Sequence, residues 1–328
     1  MRMLTRRSLL LGAVIGTVID VVAAPLAAHA QSPNTMKIVV PYPPGGSTDV
    51  IARLVQPGLQ QRLGATIVIE NRPGASGSVA TAAVAKSPPD GSTWLMVFDN
   101  HAANPFVLAS LPFDTEKDLD PVLLIGRAPY VLSTQPQKPF KALADVVAAA
   151  KAKPDVISYA SVGSGSVGHL AMALLSKQAG IRLVHVPYRG GGPAMNDAIA
   201  GHVDLLIAST ALSVPQIQAG ALRPVVQTGK ARTAALGEVP TVAENGFAGF
   251  EAYAWWGVFA PAGTPKATIA RFSNELAAIL REPRVEKQLV ETQQVALMLG
   301  GPDTLAAFLR EQMRTWGPLA REYDIKGD

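Results

Sequence analysis

The chain of 328 residues contains no cysteine. That excludes disulfides, thiolate metal sites, a cysteine nucleophile and a lipid anchor attached through an N-terminal cysteine. Charge is sparse and nearly balanced, with 29 basic and 25 acidic residues. Removing Arg2, Arg6, Arg7 and Asp20 with the first thirty residues leaves 26 of those basic and 24 of those acidic residues. This balance gives no electrostatic case for a nucleic-acid partner. Long apolar runs are also missing. Leu9–Val22 is interrupted by Asp20 and is shorter than the roughly 20 residues a membrane-spanning helix needs.

Apolar residues make up 48% of the chain, enough to bury one large core or two moderate ones. The Arg-bearing start, the run Leu9–Val22 and Ala28-His29-Ala30 before Gln31 are expected to form an export signal over residues 1–30, cleaved near Ala30. Thr5-Arg6-Arg7-Ser8-Leu9-Leu10 resembles the twin-arginine consensus, although an ordinary secretory signal fits equally. A chain so exported, with no lipid anchor, is expected to be free in the periplasm.

Short β-rich runs, each followed by a Gly/Pro-rich turn and a helical stretch, predict an α/β fold with mostly parallel strands. MKIVVPY, ATIVIEN and STWLMVFDN are the first strands, the third followed by an irregular HAANPF. VLLIGRAPYVLST leads into a second series, DVISYAS, IRLVHVPY and HVDLLIAS, then LRPVVQTG. EAYAWWGVFAPAG reads as a return segment before C-terminal helices. The block order predicts two lobes, 34–132 with 251–328 and 133–250, facing each other across a cleft. Alternation allows one of Trp255 and Trp256 to face that cleft, with core packing the default for both.

Four Gly-rich turns fall at strand-to-helix junctions: Gly45-Gly46-Ser47-Thr48, Gly74-Ala75-Ser76-Gly77, Gly163-Ser164-Gly165-Ser166 and Gly190-Gly191-Gly192. Glycine allows close backbone approach, and a helix N-terminus offers free N–H groups and partial positive charge, so the turns suit a small anion. Taken singly, each is an ordinary βα loop with Ser47 or Ser166 as an N-cap.

Gly163, Gly165 and Gly168 match G-x-G-x-x-G, but a dinucleotide site requires an acid at the end of the next strand, and that strand ends Val186-Pro187-Tyr188-Arg189. No glycine turn is followed by Lys-Ser or Lys-Thr, which removes a P-loop. Ser164-Gly165-Ser166-Val167-Gly168 lacks the first glycine of G-x-S-x-G. Histidines 101, 169, 185 and 202 have no metal-site spacing, and Asp118 and Asp120 read as solvated. His185 reads as a core or hinge residue. Neither a metal nor a cofactor is expected, and enzyme activity lacks support.

Several segments together resemble one family. They are PYPPGGSTD from Pro41, ENRPGASG from Glu70, Pro89-Asp90-Gly91, Tyr159-Ala160-Ser161 with its turn and His169-Leu170-Ala171, HVPYRG from His185, VPTVAE from Val239 and APAGTP from Ala260. They resemble the Bug or TctC-like periplasmic solute receptors, the substrate-binding components of tripartite tricarboxylate transporters. The resemblance implies a two-lobed periplasmic binding protein, a type II-like Venus flytrap with mostly parallel sheets and helices on both faces. It implies closure on a small carboxylate (a dicarboxylate, an aromatic acid or a related organic acid), and delivery to the large and small membrane subunits of a permease. A monomer is expected.

Carried over, the resemblance points on the first lobe to Tyr42, Pro44, Gly45, Gly46, Ser47, Thr48 and Asp49, then Ala75 and Ser76, then Asp99, Asn100 and His101. On the second lobe it points to Ser164, Gly165, Ser166 and His169, then Tyr188, Arg189 and Gly190, and Ser209 with Thr210. Asp99-Asn100 and Ser209-Thr210 depart from common family residues. Arg189 stands where Lys is frequent and offers a bidentate carboxylate contact. Two rival readings remain at this point: an exported hydrolase or isomerase using His101 or His169 with a nearby serine, and a receptor on the same fold that feeds a sensor.

Overall fold

A computed structural model describes residues 35–327; the expected export signal lies outside them. The first series runs β1 (Thr35–Val40), α1 (Ser47–Leu63), β2 (Thr66–Asn71), α2 (Ser78–Ala85), β3 (Thr93–Phe98), α3 (Asn100–Val107) and β4 (Leu119–Thr134). The second runs α4 (Leu143–Ala152), β5 (Ser158–Ser161), α5 (Val167–Ala179), β6 (Val184–Pro187), α6 (Gly191–Ala200), β7 (Leu205–Ser209), α7 (Thr210–Gln218) and β8 (Arg223–Gln227). The chain then returns through β9 (Tyr253–Pro261), α8 (Lys266–Leu280), α9 (Pro283–Lys287), β10 (Ala296–Gly300) and α10 (Pro302–Glu322).

The strands lie in the order β2-β1-β3-β9-β4-β7-β5-β6, with β8 and β10 also pairing β4. Pairing is parallel within each βα series, where a helix carries the chain back: β1 with β2 and β3, β5 with β6 and β7. It is antiparallel wherever β4 or β9 takes part, so the sheet is mixed. Strand β4 joins the two series. Its register with β9 ends at Pro129↔Tyr253, and its register with β7 starts one residue later at Tyr130↔Ser209.

Strand β4 is buried along nearly its whole length, which its apolar run encodes. Trp94 stacks on Phe272 of α8 at 3.8 Å, tying β3 to the C-terminal helices. Trp255 and Trp256 point to opposite faces of β9 and are both fully buried, Trp255 beside Leu305 and Leu309 of α10 and Trp256 beside Phe98. Neither tryptophan faces a cleft, because helices cover both faces of the sheet at β9. HAANPF, expected to be irregular, lies in α3 despite Pro105; burial of Asn100 through Asn104 overrides the local breaker.

Candidate functional site

The turns after β1, β2, β5 and β6 meet in pairs. Gly190–Gly192 packs on Pro43–Gly46 so closely that a Cβ at Gly190 would lie 2.9 Å from Pro43 Cδ, and one at Gly192 2.9 Å from the Pro44 carbonyl oxygen. The Ser76 hydroxyl donates to the Ser164 carbonyl at 3.1 Å, joining the second pair.

Two adjoining cavities lie among these turns. One, of about 20 Å³, is water-sized and lined by Tyr42, Gly46, Ser47, Thr48, Phe98, Asn100, Val162, Gly190, Gly191, Ser209 and Leu212. The other, of about 350 Å³, is lined by Pro41, Tyr42, Pro73, Gly74, Ala75, Ser76, Gly77, Asn100, Val162, Gly163, Tyr188 and Arg189. Tyr42, Asn100 and Val162 belong to both.

Arg189 is the sole charged residue lining either cavity; it is exposed and makes no ion pair among the described residues. Ser47 and Thr48 begin α1, whose first amides have no intrahelical acceptor, and their hydroxyls have no partner among the described residues. Asn100 is 5% exposed and accepts from the Tyr42 hydroxyl, which in turn accepts from Phe98 N–H at 3.2 Å. Burial and the nearby Asp99 push the Tyr42 hydroxyl far above its ordinary range, so it stays a neutral donor. Tyr188 donates to Asp197 at 2.6 Å; burial and that partner push its hydroxyl up to about 12.

The Ala75–Ser76 turn is strained. Both residues are left-handed, with φ of 42° and 51°, between Gly74 at 148° and Gly77 at 86°. Each non-glycine residue in that region costs about 1 to 2 kcal/mol.

Ten of the expected residues line neither cavity. Asp49 closes its own turn: its carboxylate accepts from Gly45 N–H at 3.0 Å, Arg53 at 3.0 Å and Asn71 at 2.9 Å. Burial opposes ionisation there, but these bonds outweigh it and hold the carboxyl below its ordinary range. Pro44 is exposed and meets Gly192 through its carbonyl, while Gly45 supplies the N–H that Asp49 accepts. Ser166 caps α5, donating to the Gly163 carbonyl at 2.8 Å and accepting from His169 N–H at 3.3 Å. His169 Nδ1 accepts from Gly165 N–H at 3.1 Å, so its ring is neutral, and burial with the neighbouring His185 pushes its pKa down to about 3. Ser164 meets Ser76 through its carbonyl, and Thr210 is fully buried.

Asp99 and His101 flank Asn100 but turn inward. Asp99 is fully buried and accepts from the Tyr130 hydroxyl and from Val167 N–H at 3.3 Å; burial pushes its carboxyl up to about 8 against those donors. The reading of Asp99 as a group facing a ligand hydroxyl, ammonium or second carboxylate therefore does not match its place. His101 is 2% exposed, packs against Phe259 and Phe113, and is pushed down to about 4 by burial.

Ser161 Oγ lies 2.7 Å from His185 Nε2 and 3.0 Å from the Gly163 carbonyl oxygen, while His169 Nδ1, a candidate base of the hydrolase reading, is occupied by Gly165 N–H. Sequence reasoning missed Pro41, Pro73, Phe98, Val162 and Leu212 as lining residues. Each is apolar and without a chemical signal of its own: Pro41, Phe98 and Val162 stand at or beside strand ends, Pro73 in the turn after β2 and Leu212 in the first turn of α7.

The mixed α/β sheet with cavities at its strand ends matches the periplasmic binding protein fold. The chain belongs to the tripartite tricarboxylate transporter family receptors (TctC), whose model matches residues 51–325. BugT of Bordetella pertussis is 33% identical over 318 residues, 96% of this chain and 97% of its own. Among solved structures, R. palustris Rpa4515 with adipate is 33% identical with a TM-score of 0.85, covering 89% of this chain and 98% of that one. MatC (Rpa3494) from Rhodopseudomonas palustris with bound malate is 30% identical with a TM-score of 0.82, covering 87% and 98%. The family is one of solute receptors, not enzymes.

Proposed function

We propose that the protein captures a small organic carboxylate in the periplasm and delivers it to the membrane subunits of a tripartite transporter. Residues 34–132 with 251–328 form one lobe and residues 133–250 the other, and the lobes close on the ligand. The observation that carries this reading is the pairwise meeting of the four turns around cavities that no acidic residue lines, with Arg189 at one wall. Uncompensated helix-start amides, the Ser47 and Thr48 hydroxyls and an unpaired guanidinium all favour a negative ligand. Adipate and malate in two relatives are carboxylates of suitable size for a cavity of about 350 Å³. Export by a cleaved signal near Ala30 completes the reading.

Thermal melts of the mature protein against a panel of di- and tricarboxylates, aromatic acids and amino acids test it. Binding to the native state alone raises Tm by mass action, by about 2.7 kcal/mol of stability at a hundredfold excess over Kd. A rise with a carboxylate and none with uncharged analogues is expected. Absence of any rise across the panel overturns the reading.

A further inference from the structure

Asn104 lies behind the site, lines neither cavity and is 2% exposed. Its amide Nδ2 donates to the Ser76 carbonyl at 3.0 Å, and the Asn100 amide donates to the same oxygen. The two asparagines are four residues apart in α3 and so share one helix face. They converge on the carbonyl that follows two left-handed non-glycine residues, Ala75 and Ser76. A turn in that conformation persists only where its surroundings over-determine it. Two donors on one acceptor, from a helix buried against the sheet, supply that determination.

We infer that Asn104 is a positioning residue for ligand recognition: with Asn100 it holds the strained Ala75–Ser76 turn in the shape that walls the larger cavity. The division of labour is visible in their other atoms. Asn100 also accepts from Tyr42 and lines both cavities, so it contacts the site directly. Among the described residues the Ser76 carbonyl is the one hydrogen-bond partner of the Asn104 side chain, so that contact is its polar function. The held turn also carries the Ser76 hydroxyl to the Ser164 carbonyl, so the same two asparagines fix the contact between the turns.

This inference rests on the carboxylate-receptor reading, and the experiment separates the two. In ligand-free mature protein, hydrogen exchange of the 74–78 segment is measured for wild type, Asn104→Ala and Asn104→Leu. Exchange at least tenfold faster in both variants is expected. Asn104→Leu fills a similar volume but has no donor for the Ser76 carbonyl, so wild-type exchange in that variant would show packing alone and overturn the inference. Affinity for malate and adipate is then measured by calorimetry, with a loss of about tenfold expected in Asn104→Ala. Ala75→Gly, which removes the steric objection to φ of 42° without removing a hydrogen bond, is expected to restore at least threefold of that loss. Unchanged affinity in Asn104→Ala, or no restoration by Ala75→Gly, overturns the positioning role. Wild type that binds no carboxylate overturns the receptor reading, while the exchange result still decides whether Asn104 holds the turn.

Discussion

Gly192→Ala tests closure with little disturbance of either series alone. Gly192 is the second residue of α6, and its φ is not among the positive ones, so alanine suits its backbone and favours the helix by up to about 1 kcal/mol. The obstacle is in the facing turn. The new Cβ would sit 2.9 Å from the Pro44 carbonyl oxygen and 3.7 Å from the Gly45 carbonyl carbon, and the first contact is with backbone, which cannot rotate away. The turns must part by a few tenths of an ångström, and overpacking of this kind costs about 1 to 3 kcal/mol. If the turns separate when the protein opens, that cost falls on the closed, ligand-bound state. It then weakens binding by roughly 5- to 150-fold, with about thirtyfold as the central expectation. Calorimetry against malate or adipate reads the affinity, and a melt of ligand-free protein reads the fold. The expected pair of results is weaker binding with a ligand-free Tm equal to wild type or slightly higher. Wild-type affinity in the variant would refute the claim that the Pro44–Gly192 approach belongs to the bound state. A large fall in ligand-free Tm would show the turns already joined without ligand, and closure would lose its support.

Arg189→Ala is expected to reduce affinity for a dicarboxylate at least tenfold more than for its monocarboxylate analogue, since a hydrogen bond to a charged group contributes about 1.5 to 3 kcal/mol; equal losses in calorimetric titrations would place the guanidinium outside the complex. Asp99 has a folded pKa raised to about 8, so its contribution to stability is present below the unfolded carboxylate value and is lost as pH rises through about 8. Melts of Asp99→Asn between pH 5 and 9 should therefore show a flatter alkaline limb than wild type, and an unchanged slope would contradict the assignment. His101 acts in the opposite sense: its folded pKa is depressed to about 4, and stability present above the unfolded histidine value is lost as pH falls toward 4. His101→Gln should flatten the acid limb alone, a result the same melts check.

Much of the fold was legible because each βα unit writes itself locally. A short apolar run, a glycine turn and an amphipathic stretch occur together at β1 and α1, β2 and α2, and again from β5 to α7. Pairing between distant strands leaves no such mark. Nothing in VLLIGRAPYVLST announces that it meets β9 up to Pro129 and β7 from Tyr130, both antiparallel. Trp255 and Trp256 show the same limit, since alternation says that they face opposite sides but not that both sides are covered. In α3 a local signal misled, because Pro105 suggests a break that burial of the preceding turn overrides.

At the site, turn positions were legible and side-chain roles were not, and the reason lies in the turns' own amides. A glycine-rich turn exposes N–H groups that must find acceptors either inside the protein or in a ligand. Asp49 meets Gly45 N–H, His169 meets Gly165 N–H and Ser166 meets His169 N–H. These residues have the chemistry of ligand contacts, which is why the resemblance pointed to them, and in this structure that chemistry is already spent within the turns. Asp99 does the same for Val167 N–H at the start of α5. The places without such an internal acceptor are therefore informative. They include the start of α1 with the Ser47 and Thr48 hydroxyls, the start of α6 at Gly190 and Gly191, and the wall formed by Ala75, Ser76 and Arg189. Spacing cannot distinguish a side chain that completes a turn from one that leaves it open, because adjacent residues such as Asp99 and Asn100 take opposite roles. Counting which amides have already been answered does distinguish them, and under the proposed function it directs an anion to α1, α6 and the strained turn rather than to α5.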